Sequence, residues 1–178
     1  APVPLVCTHA KRDQCCAVRG RPVAAALESL VGARLADRDP DALVWECSHT
    51  GGHRFAPVLL LPGTGYTYGP ADAALASRIV EAELEGRVLT DNLRGRSTWP
   101  PAGQVAEVAV RDSGVEAGID ELVVHLDPAE PHVAVVRHAD GRAWRVETST
   151  RPLPPRMQSC RKPPTDAKAW VVESLTAL

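Results

Sequence analysis

The first third of the chain alternates short apolar runs with polar, ligand-bearing loops. Val3 to Val6 is apolar and ends at Cys7, which predicts a buried first strand carrying that cysteine at its C-terminal end. A polar loop with Lys11, Arg12 and Asp13 follows. Apolar positions Val23, Ala26, Leu27, Leu30, Val31 and Leu35 then recur at helical spacing, predicting a helix from Cys15 or Cys16 to about Ala36. Asp37 to Asp41, with Pro40, reads as a turn, and Ala42 to Cys47 as a second buried strand running into a loop that holds His49 and His53. Gly51 and Gly52 separate the histidines and oppose a helix there, so a tight loop presenting both rings is expected.

The pattern continues with a strand over Arg54 to Leu61, a turn at Pro62 to Gly65 and a returning arm at Tyr66 to Tyr68. Asp72 is placed to cap a helix over Ala73 to Glu85 that Gly86 ends. Between Asp91 and Gly103 the composition shifts, with Arg94-Gly95-Arg96 and the pair Pro100-Pro101, as at a domain boundary or connecting arm. Beyond it a helix over Gln104 to Arg111 and strands at Glu121 to Leu126, His132 to His138 and Ala143 to Thr148 are predicted, the last two joined through Asp140-Gly141. Arg151 to Pro164 holds five prolines and reads as an irregular arm before a final strand at Ala169 to Leu175. The organisation expected is α/β, with a first domain over residues 1–92 and a smaller α+β unit of antiparallel strands over 93–178.

Composition narrows the function classes. At 178 residues and 44% hydrophobic content the chain can build a real core. Its formal net charge of −2 opposes a strongly basic nucleic-acid surface. There is no run of about 18 apolar residues, and no charged segment leads into an apolar signal core, so a membrane partner is not expected and the chain reads as cytoplasmic. Five cysteines, two of them adjacent, make a poor disulfide framework and suit metal ligation by reduced thiols.

The segments Cys7 to Cys16 and Ser48 to His53 offer two thiolates and two imidazoles to one metal centre. The wide spacing from Cys7 to Cys15-Cys16 differs from the tight knuckle of a structural zinc site, although a zinc staple that stabilises an interaction module is an alternative. A [2Fe–2S] rhomb has two irons, and separate loops can grip one each, with two-histidine ligation of one iron as in Rieske centres. Cys47, two residues before His49 on a strand, could point to the same side and compete, but reads better as a small buried hydrophobe. His9 reads as a surface or supporting residue, Cys160 as a thiol in a loop, and His125, His132 and His138 as packing or surface residues. A thiol-redox protein using Cys15-Cys16 lacks the C-x-x-C spacing that chemistry favours, and His49-x₃-His53 lacks the glutamate of a metalloprotease helix.

The stretches Cys7-Thr-His-Ala-Lys-Arg-Asp-Gln-Cys-Cys16-Ala-Val-Arg-Gly20 and Trp45-Glu-Cys-Ser-His49-Thr-Gly-Gly-His53-Arg-Phe-Ala-Pro57 closely resemble the sucrase/ferredoxin-like family of thioredoxin-like ferredoxins. The resemblance implies a thioredoxin-like ferredoxin fold with a [2Fe–2S] cluster ligated by Cys7, Cys16, His49 and His53. It implies an electron carrier rather than an enzyme, and no carboxylate pair supports a sucrase activity. Two thiolates and two neutral imidazoles would leave the oxidised centre formally neutral, so its potential is expected above the roughly −400 mV of plant-type ferredoxins. A proton on the outer imidazole nitrogen would make that potential pH-dependent. Lys11, Arg12, Arg19, Arg21 and Arg54 flank the ligand positions and, if outward, form a rim suited to an acidic redox partner protein.

Overall fold

The computed structural model describes residues 3–11, 13–35, 39 and 42–178. The elements run β1 (Leu5–Cys7), α1 (Gln14–Leu35), β2 (Trp45–Cys47), a single 3₁₀ turn (His53–Phe55), β3 (Leu59–Leu61), β4 (Tyr66–Tyr68), α2 (Ala73–Leu84), β5 (Leu93–Arg96), α3 (Pro101–Asp112), β6 (Leu122–Leu126), β7 (Val133–His138), β8 (Ala143–Met157) and β9 (Pro164–Ala177). The turn expected at Asp37 to Asp41 lies outside the described residues apart from Asp39.

Two sheets organise the chain. The first has the order β2-β1-β3-β4-β5, with β1 and β2 parallel across α1 and the remaining neighbours antiparallel. This mixed α/β arrangement is compatible with a thioredoxin-like fold followed by a second unit. The second sheet is an antiparallel meander, β6-β7-β8-β9. No helix among the described residues is long and apolar enough to cross a membrane.

Helix α1 buries a stripe of Cys16, Gly20, Val23, Ala24, Leu27, Val31 and Leu35, the three-to-four-residue spacing that puts side chains on one face. Together with α2 it covers the first sheet through a core that includes Val6, Leu59, Leu61, Tyr66, Tyr68, Ile79 and Val80. Gly20 is where α1 presses on β1: a Cβ there would run into the Cys7 carbonyl oxygen. Helix α2 starts as its sequence requires, with Asp72 Oδ1 accepting the Leu75 amide at 2.9 Å.

Four segments depart from expectation. β2 is an edge strand, and Trp45 is 55% exposed rather than buried, because only β1 flanks it. Arg54 to Leu61 is not one strand: the 3₁₀ turn and a cis Ala56-Pro57 bond occupy its first half, and only Leu59–Leu61 pairs. Arg94-Gly95-Arg96 lies within β5, at the edge of the first sheet beside β4, instead of in an arm. The proline-rich segment is largely strand: β8 runs on to Met157 and pairs with β9 as far as Met157 opposite Pro164. Past Glu147 the ladder between β7 and β8 ends, so one edge of β8 is open there and a proline without an N–H costs no sheet bond. A register shift between Leu153 and Arg156 absorbs Pro154-Pro155.

Candidate metal centre

The C-terminal ends of β1 and β2, the first turn of α1 and the histidine loop meet at one end of the first sheet. Parallel pairing sets Cys7 directly opposite Cys47, and the Cys7 and Cys16 thiols are neighbours in a buried apolar cluster with Ala56 and Val58. Burial works against a Cys7 thiolate, but the backbone amides of Thr50 and His9, the Thr50 hydroxyl and the Cys16 thiol all turn toward its sulfur. The result is a Cys7 pKa below the ordinary thiol value. Cys16 and Cys47 are pushed the other way, by burial and then by the negative charge that Cys7 carries when ionised. One thiolate is therefore favoured first, at Cys7, with two thiols beside it that need a cation to ionise.

Gly51 and Gly52 both adopt positive φ, 80° and 65°, a conformation that glycine enters at little cost. They turn the loop so that His53 opens the 3₁₀ turn. The His53 ring then sits between two thiols, with Nδ1 3.5 Å from Cys15 Sγ and 3.6 Å from Cys160 Sγ. The two sulfurs are 3.1 Å apart. On the far side of the ring Nε2 lies 2.9 Å from the Met157 carbonyl oxygen, which can only accept, so Nε2 carries the hydrogen and Nδ1 turns its lone pair toward the sulfurs. A histidine whose outer nitrogen is tied to a carbonyl in this way is oriented as metal-ligating histidines are. Cys15, His53 and Cys160 offer ligand atoms all within 4.8 Å of one another and lie close enough to hold a metal.

Cys160 reaches the site because the β8–β9 hairpin folds its tip over the start of α1. Asp13, 1% exposed, anchors that tip: its Oδ1 accepts the Cys160 amide at 2.7 Å and the Ser159 hydroxyl at 2.8 Å. Its Oδ2 is buried with no hydrogen-bond partner among the described residues, and Oδ1 stands 3.9 Å from His53 Nδ1. Burial opposes the carboxylate, but the Cys160 and Ser159 bonds outweigh it and its pKa is lowered. Soft thiols, an oriented imidazole and a buried anion with an unused oxygen make a donor set that fits a metal group of the thiolate and imidazole class.

Of the four ligands expected, Cys7 and Cys16 are brought into contact and His53 lies one thiol away, beside Cys15, which itself contacts Cys16. His49 is exposed, its ring 6.3 Å from the His9 ring and outside the converging triad. The sequence reading missed Cys160 and Asp13. The only signal for Cys160 was its status as an unexplained fifth cysteine, since 145 residues separate it from Cys15. Lys11, Arg19, Arg21 and Arg54 are exposed around the site, and Arg12 lies outside the described residues.

A sequence profile described as sucrase/ferredoxin-like matches residues 1–95, a stretch that carries Cys7, Cys15, Cys16, His49 and His53. No curated protein and no solved structure matches the chain. With the match extending over 95 of 178 residues, the chain belongs to the sucrase/ferredoxin-like family.

Proposed function

We propose that this protein is a one-electron carrier whose [2Fe–2S] cluster is held by Cys7, Cys16, His49 and His53. The observation that carries the reading is the meeting of Cys7, Cys16 and the histidine loop at one end of the first sheet, within the stretch the family profile matches. Bound there, the cluster supplies one-electron redox chemistry at a potential above that of all-cysteine plant-type ferredoxins. The chain's own groups prepare the site: the Thr50 and His9 amides stabilise negative charge on Cys7 sulfur. The Met157 carbonyl holds the outer hydrogen of His53, and that hydrogen is the one whose loss would tie the potential to pH. The exposed Lys11, Arg19, Arg21 and Arg54 suit an acidic, water-soluble redox partner.

One observation favours a second reading. Cys15, His53 and Cys160 converge closely enough for a single ion, so the chain could hold one zinc as a staple between its hairpin and α1. Metal and sulfide analysis of anaerobically purified protein, with absorption and EPR spectra, separates the two. Two irons, two sulfides and a reducible S = 1/2 signal are expected. A colourless protein with one zinc overturns the first reading. In the iron–sulfur protein, His53→Cys is expected to lower the potential and remove part of its pH dependence; an unchanged titration rejects His53 as a ligand.

A further inference from the structure

A groove runs away from the histidine loop, between α3 and the projecting β8–β9 ribbon, with β5 at one end. It encloses about 570 Å³, inside the size range of small-molecule sites. Its walls combine apolar and cationic groups. Leu93, Val105, Val108 and Leu153 give it an apolar lining, Phe55 and Trp170 add two aromatic rings, and Arg54, Arg94, Arg156 and Lys168 supply four positive charges. The only carboxylate in the lining is Asp112.

No carboxylate among the described residues pairs with these cations. Arg94, Arg156 and Lys168 make no ion pair among the described residues, and Arg54 donates only to the neutral Gln158 amide oxygen, at 3.1 Å. Arg54 and Arg94 crowd the same ring, their guanidinium carbons 4.8 and 3.9 Å from the Phe55 centroid. Desolvation against the groove, and then the Arg54 charge, lower the Arg94 pKa. Four cations gathered around an apolar concavity with one carboxylate, and in no ion pair with it, cost folding energy that a bound anion would recover. Several exposed arginines elsewhere are paired, as Arg34 with Glu81, Arg78 with Asp91 and Arg142 with Asp140.

We propose that this groove is a binding site for a small organic anion with a flat, apolar or aromatic body and one or two carboxylate, phosphate or sulfonate groups. The body lies against the apolar walls and Trp170, and the anionic group faces the arginines around Phe55. The concavity favours a compact ligand over an acidic protein surface, since its apolar walls would stay wet under a purely charged partner. The assignment does not depend on the metal centre, although Arg54 and Phe55 directly follow His53 and put the mouth of the groove beside it.

Titration of the purified full chain with 8-anilinonaphthalene-1-sulfonate, followed by dye fluorescence and calorimetry, tests the proposal. One dye per chain is expected, with binding weakened by added salt. Arg94→Gln, Arg156→Gln and Lys168→Gln should each weaken it about threefold, the factor for losing one partly exposed ionic contact. Ala109→Trp, which fills the groove, should abolish binding. Arg137→Gln, on an exposed position of β7 away from the groove, should leave it unchanged. N-phenyl-1-naphthylamine, the same rings without the sulfonate, should bind at least about tenfold more weakly. Should Ala109→Trp fail to fold, the three surface charge variants still decide the matter, with circular dichroism reporting their integrity. Equal binding of the uncharged dye, equal weakening by Arg137→Gln, or tighter binding of a glutamate oligopeptide than of the dye would each overturn the proposal.

Discussion

At the scale of single residues, Asp13 carries more of the site than its place in a polar loop suggested. It is nearly fully buried, holds the hairpin tip through Cys160 and Ser159, and has one oxygen unused. Its pKa is lowered in the folded chain. A carboxyl of that kind contributes stability above its unfolded value near about 4 and loses the contribution as pH falls through the folded value. Asp13→Asn keeps the size and one acceptor but removes the charge. It should cost about 1–2 kcal/mol at neutral pH and flatten the loss of stability on acidification below about pH 4. Thermal melts across that range check both effects, and amide exchange at Cys160 shows whether the tip has come loose. Cys7 was legible as a ligand candidate from its position after an apolar run. Its lowered pKa was not, because that depends on amides of Thr50 and His9 delivered by two other loops.

At the scale of elements, the predicted helices formed because each rests on a periodic apolar stripe and, for α2, on a side-chain cap. Strand placement within the sheet was less legible. Ala42 to Cys47 is apolar enough to read as central, yet edge or centre is decided by which strands flank it, and β2 has only one neighbour. The prolines of β8 misled for a related reason: whether a missing N–H matters depends on a partner strand that local sequence does not name. Contact between α1 and β1 is set by Gly20, where any side chain meets the Cys7 carbonyl. Gly20→Ala should therefore lift the first turns of α1 from β1 and cost about 2 kcal/mol, read as a fall of roughly 4–8 °C in Tm. The same variant should disturb the Cys7–Cys16 contact and lower metal occupancy, measured as metal per chain after purification.

At the scale of the whole molecule, a buried polar network ties the first sheet to α3, which in turn packs on the second sheet. Glu107, 1% exposed, accepts from the Tyr66 hydroxyl on β4 at 2.5 Å, from the Trp99 indole at 2.8 Å and from Arg111 at 3.1 Å. Arg111 also donates to the Tyr66 hydroxyl at 2.9 Å and to the Ala117 carbonyl at 2.8 Å. Ala106 and Val110, on the same helix, pack into the core with Leu122, Val136 and Trp144. Glu107→Ala leaves the buried Arg111 charge without its carboxylate and should cost about 3–5 kcal/mol. The double substitution Glu107→Leu with Arg111→Met should recover part of that loss, because the unpaired buried charge is gone while the Trp99 indole and the Ala117 carbonyl still lack their partners. Denaturant unfolding of the three proteins checks this, and a double variant no more stable than Glu107→Ala rejects the assignment.

The sequence by itself determined the α/β class, the three helices, most strand positions and the family, because these rest on local periodicity, capping and two short motifs. It also made Cys7, Cys16, His49 and His53 ligand candidates, of which the structure sets Cys7 beside Cys16 and leaves His49 exposed, outside the Cys15, His53 and Cys160 triad. Tertiary structure alone decided that Cys160 and Asp13 join that end of the molecule, that Cys15 faces His53, and that uncompensated cations from four separate elements and loops share one groove. Those arrangements come from long-range packing of the β8–β9 ribbon on α3 and from the contacts of its tip, at Ser159 and Cys160, with Asp13 and Cys15. Residues more than a hundred positions apart become neighbours only when apolar faces are buried together, and no local pattern in the chain encodes which faces those are.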